Sequence, residues 1–116
     1  MKSKSMKTKS ILMVALVTIL YSCSAKLKEL TQADADRGKE KFPSVTLVSL
    51  NEGKSIYENN CNKCHGLKKP GSANEAKWNK LVPIMVTKLN KKEGKEVIDA
   101  KQQEIMLQYL VTMGKK

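Results

Sequence analysis

Residues 61–65 read Cys61-Asn62-Lys63-Cys64-His65, a C-x-x-C-H motif, and the rest of the chain is best read outward from it. On a helical turn the two cysteines stand at i and i+3, on one face. Both sulfurs can then reach one edge of a porphyrin and form thioethers with its two vinyl groups, while the adjacent imidazole binds the iron. This is the attachment pattern of a c-type haem. Other uses of the motif need partners that the chain lacks. A structural zinc takes four ligands, mostly Cys and His, yet there is one histidine, and the third cysteine, Cys23, stands far upstream. A thioredoxin-like C-x-x-C needs a βαβ setting, and no stretch here reads as paired strands. A plain disulfide leaves His65 without a role. The expected cofactor is one covalent haem c on Cys61 and Cys64, with His65 on the iron.

On the N-terminal side of the motif, Ser49-Leu50-Asn51-Glu52 fits a capping box, and the spacing predicts a helix from there into Cys61 with Gly53, Ile56 and Tyr57 on one face. On the C-terminal side, Gly66-Leu67-Lys68-Lys69-Pro70-Gly71 reads as a loop. Ser72-Ala73-Asn74-Glu75 offers a second capping box. Trp78, Leu81, Val82, Met85 and Leu89 then recur at helical spacing, so one face of that helix is buried. Pro83 falls inside the pattern and is expected to kink or restart it. A charged loop over residues 90–96 precedes Asp99-Ala100-Lys101-Gln102, a third cap. The last helix carries Ile105, Met106, Tyr109, Leu110 and Met113 on one side and stops at Gly114. Upstream, Thr31-Gln32-Ala33-Asp34 starts a short helix that Pro43 ends, and residues 44–48 read as an extended connector or helix start. The expected fold class is all-α: a few short helices around one haem.

The aromatic content is 4%, with a single Trp and a single Phe. So small a domain has a poor ratio of core to surface, and a covalently held porphyrin would supply the missing apolar bulk.

Residues 1–22 read as an export signal. Lys2, Lys4, Lys7 and Lys9 precede an uncharged apolar run that is well short of a membrane span. The run ends in Leu20-Tyr21-Ser22-Cys23, which resembles a bacterial lipobox, and lipidation of Cys23 would also explain one unpaired cysteine in an exported chain. An ordinary secretory signal with Cys23 as a leftover thiol is the alternative. The expected organisation is a signal over residues 1–22, a tether and short helix over 23–45, and one domain over 46–116, exported and lipid-anchored on the periplasmic side of a bacterial membrane. Without residues 1–22 the chain keeps 18 Lys and Arg against 11 Asp and Glu, a side-chain charge of +7, which favours acidic partners or anionic membrane surfaces; a plain solvated basic surface is the alternative. The lysines are scattered and the aromatics few, so nucleic acid is not an expected partner.

With these residues in place, residues 46–113 resemble the small bacterial class I cytochromes c. The resemblance rests on Leu50, Gly53, Tyr57, the C-N-K-C-H motif, Gly66-Leu67, Pro70, Trp78, Met85, Ile105 and Tyr109-Leu110. It implies that the helix bearing Gly53 and Tyr57 crosses the last helix at Tyr109 and Leu110. It also implies that the Pro70 carbonyl accepts a bond from the haem histidine, orienting the ring and raising its basicity. Three methionines follow Cys23, and each can be core filling instead of a ligand. The spacing Trp78 to Met85 resembles the family's pattern and makes Met85 the expected sixth ligand, with Tyr57, Trp78 and Leu67 as haem-pocket packing. The resemblance implies an electron carrier and not an enzyme, with redox proteins as partners. The competing expectations are a haem protein with open iron that binds small gases or peroxide, and a subunit of a larger respiratory complex.

Overall fold

A helix leaves four N–H groups without partners at its start, and the local sequence meets that need at each of the four α-helices among the described residues. The computed structural model describes residues 26–63 and 65–116. The expected signal segment, Cys23 and Cys64 lie outside the described residues. Helix α1 (Gln32–Lys39) starts at Thr31, whose hydroxyl accepts from the Asp34 N–H while the Asp34 carboxylate accepts from the Thr31 N–H. Helix α2 (Leu47–Asn60) starts at Thr46 with Ser49 as the reciprocal partner. The cap thus lies three residues before the expected Ser49, because Thr46 makes the same bond one turn earlier. The connector expected over residues 44–48 is correspondingly shorter.

Helix α3 (Glu75–Glu93) is capped by Asn74, whose Oδ1 accepts from the Lys77 N–H at 3.0 Å. Ser72, the expected cap, instead ends a 3-10 turn, Pro70–Ser72. The helix runs unbroken through Pro83 and extends to Glu93, into what reads as loop. Gly94 closes it in the left-handed region, at φ 67°, where a side chain is strained. Helix α4 (Ala100–Thr112) starts at the expected Asp99 with Gln102 completing the capping box.

The most extensive helix contact joins α2 and α4, and α3 leans on α4 from another side. Leu50, Trp78, Val82, Met106, Tyr109 and Leu110 are almost wholly removed from water. Gly53 lets the crossing close. A Cβ built there would stand 2.5 Å from the Ile105 carbonyl oxygen and 2.8 Å from the Tyr109 Cβ, so the resemblance's implied crossing is what the structure shows. Gly53→Ala is therefore expected to destabilise the protein by about 1–3 kcal/mol, the usual range for overpacking, despite alanine's better helix propensity. Chemical denaturation measures it.

Residues 26–45 close over α2 and α4, with Leu27, Ala35 and Val45 joining the core. Asp34 is 2% exposed and receives the Arg37 guanidinium at 2.9 Å, with Lys28 at 3.6 Å. Arg37 also reaches the Thr112 carbonyl and the Met113 sulfur at the end of α4. Burial raises the Asp34 carboxyl, but the Thr31 backbone, the Arg37 guanidinium, the Thr31 hydroxyl and Lys28 outweigh it and hold the group below its ordinary 3.8. A depressed carboxyl stabilises the fold above its unfolded value and ceases to do so as pH falls through the folded one. Acidification below about pH 4 is thus expected to loosen α1 first. NMR signals of residues 32–39 should broaden or shift before those of α2 and α4, and Asp34→Asn should bring the same change at neutral pH.

Candidate functional site

Helix α2 ends by handing over the motif. Cys61 is its terminal cap residue, and its N–H donates to the Tyr57 carbonyl at 2.9 Å. Its half-buried sulfur stands 3.9 Å from the Met106 sulfur on α4. The chain then turns outward, and His65 is exposed with Nδ1 2.9 Å from the Gly66 carbonyl oxygen. A carbonyl oxygen only accepts, so this contact puts the ring proton on Nδ1 and leaves the Nε2 lone pair for a metal.

The loop after the motif is fastened at two carbonyls by aromatic side chains. The Tyr57 hydroxyl donates to Lys68 at 2.7 Å, and the Trp78 indole N–H donates to Pro70 at 2.9 Å. The rings meet edge to face, centroids 6.2 Å apart and planes at 80°, a favoured aromatic geometry. Burial, with a smaller contribution from Cys61, pushes the Tyr57 phenol up to about 12, against which the bond to Lys68 acts only weakly. Burial also raises Tyr109, with Glu58 and Tyr57 adding to it. Both phenols are thus neutral at ordinary pH.

Two cavities open beside the motif, of about 260 and 180 Å³, and Cys61, His65 and Met85 line both. Val86, Leu89 and Ile98 wall the first; Tyr57, Trp78 and Leu81 wall the second. They form two lobes of one cleft, apolar in its walls and carrying a thiol, an imidazole and a thioether. That donor set fits a haem, with Cys61 for attachment and His65 and Met85 for the iron. Among the described residues no three His, Cys, Asp or Glu side chains gather to hold a bare metal ion. A wider groove of about 950 Å³ lies between α1, the start of α3 and the C-terminus. Its lining includes the Met113 thioether but no thiol or imidazole, and the Lys41–Glu75 ion pair spans part of it.

Met106 is buried against Cys61 and Met113 takes the Arg37 contact, and neither lines a lobe of the cleft. The Pro70 carbonyl differs from expectation. It accepts from the Trp78 indole and the Ala73 N–H, while the His65 ring pairs with Gly66. Trp78 is 1% exposed; a buried indole N–H needs an acceptor, and Pro70 provides it. Leu67 is half-buried against the core and is not among the lining residues of either lobe.

Val86 and Ile98 escaped the sequence reading. Ile98 belongs to the cleft because Asn90 ties its loop to α3: the Asn90 Oδ1 accepts from the Val97 and Ile98 N–H groups, and its amide donates to the Ile98 carbonyl at 3.0 Å. The only sequence signal was the apolar pair Val97-Ile98 between a charged run and a helix cap.

A family model described as Cytochrome c matches residues 50–114, more than half of the chain. No curated protein and no solved structure gives a match.

Proposed function

This chain belongs to the cytochrome c family, whose all-α fold and covalently attached haem c it shares, and from that premise we propose that it is a membrane-tethered monohaem electron carrier with His65 and Met85 on the iron. The observation that carries the proposal is the shared lining of both cleft lobes by Cys61, His65 and Met85. The haem supplies a one-electron couple at its iron. The chain's part is to hold the group by thioethers, to present one imidazole and one thioether sulfur, and to exclude water with Tyr57, Trp78, Leu81, Val86, Leu89 and Ile98. Among the described residues no carboxylate lines the cleft, whose ionisable side chains are Tyr57, Cys61, His65, Lys68 and Lys88. Those two lysines, with Lys63 and Lys69 nearby in sequence, favour redox partners with acidic surfaces.

Tethering is read from the N-terminal lysines, the apolar run and Cys23. No helix among the described residues is long and apolar enough to cross a membrane. In this reading the anchor is lipid on Cys23, holding the domain on the periplasmic side. A spectroelectrochemical titration tests the carrier: one reversible one-electron wave with no hysteresis is expected, and a multi-step or irreversible response contradicts it. Partition of the native protein into detergent, lost in Cys23→Ala, tests the tether; an unacylated soluble form would remove it.

A further inference from the structure

Pro83 is a cost without an evident return in packing. It stands in the ninth position of α3, far past the first turn where proline is tolerated, with its ring exposed and outside the core cluster. There it deletes the bond to the Asn79 carbonyl and crowds that carbonyl with its ring. Sharp helix bends occur at such positions. At 3.6 residues per turn, Pro83 and Met85 lie about 200° apart around the axis, on nearly opposite sides. Asn79, Lys80 and Thr87 share the exposed side with Pro83, whereas Trp78, Val82 and Leu89 are buried on the side that Met85 borders. A turn that opens at Pro83 therefore closes toward Met85.

The two ends of α3 are held. Near its start the Trp78 indole is bonded to Pro70, and near its end Asn90 grips Val97 and Ile98. Met85 falls between these fastenings, two residues beyond the turn that lacks a bond. We propose that Pro83 is a positioning residue for the iron ligand: it makes the middle of α3 compliant, so that a helix fixed at both ends bows into the cleft and keeps the Met85 sulfur on the iron. The proposal rests on Met85 being that ligand.

The test is Pro83→Ala in the full-length holoprotein, followed by thermal unfolding, the far-red sulfur-to-iron band of the oxidised form, the reduction potential and carbon monoxide binding by the reduced form. Alanine restores the missing N–H and favours helix, so the unfolding midpoint should hold or rise. The far-red band should nevertheless weaken, the potential should fall, and carbon monoxide should bind where the wild type excludes it. Pro83→Gly, which restores the N–H but leaves the turn pliable, should keep most of the band. Ile84→Ala, at an exposed neighbour on the same helix, should change none of these. If Pro83→Ala keeps the wild-type band, potential and carbon monoxide exclusion, the proposal is overturned whatever happens to the melting point. A wild type without the band would instead remove the Met85 reading itself, and this proposal with it.

Discussion

Cys61→Ala/Cys64→Ala protein, produced together with the machinery that attaches c-type haem, is expected to retain no haem after denaturation in acid and organic solvent. The wild-type chain should keep one, seen in its intact mass. The expectation follows from i, i+3 spacing of the two cysteines ahead of His65 and from the place of Cys61 at the end of α2, beside the cleft. The loss should be complete, because nothing but the thioethers survives such treatment. The fold should suffer too: the cleft is walled by Val86, Leu89, Ile98, Tyr57, Trp78 and Leu81, and apolar surface left wet forgoes roughly 25 cal/mol per Å². A markedly lower unfolding midpoint should accompany the lost mass. Haem retained by the double variant would contradict covalent attachment at this motif.

Met85→Ala should give the second large effect. Methionine as the partner of histidine raises the potential of haem iron, and axial ligands tune such potentials over about 0.8 V. Losing the thioether is therefore expected to lower the potential on the order of 0.1 V or more, to abolish the far-red band and to open the reduced iron to carbon monoxide. The other two methionines serve as controls. Met106 lies buried against Cys61, so Met106→Ala should cost about 2–5 kcal/mol of stability and leave the coordination intact. Met113 is engaged by Arg37 at the far end of α4, and Met113→Ala should loosen that corner alone. A potential unchanged by Met85→Ala and lowered by Met106→Ala would reassign the ligand.

The helices and the motif were legible because their signals are local: apolar spacing on α3 and α4, the Asp99–Gln102 cap, and two cysteines one turn apart. The caps of α2 and α3 were displaced by two or three residues for an equally local reason. Thr46–Ser49 and Ser49–Glu52 both satisfy the reciprocal capping pattern, and only the folded chain selects between them. What could not be read were bonds across the fold. The Trp78 indole takes the Pro70 carbonyl, Asn90 carries Ile98 into the cleft wall, and Arg37 reaches the Thr112 carbonyl at the end of α4. Each depends on which buried polar group lies nearest once the helices have packed, and no spacing encodes that. Met85 shows both sides: its helical face was readable, but its sharing of a cleft with Cys61 and His65 required α2 and α3 each to pack on α4.

The most direct test of a haem iron held by His65 and Met85 in an electron carrier is the visible spectrum of the reduced wild-type protein before and after carbon monoxide is added. An iron with both axial positions filled by the chain should show no change at saturating gas. A rapid, saturable shift would mean an open position on the iron and would contradict the account.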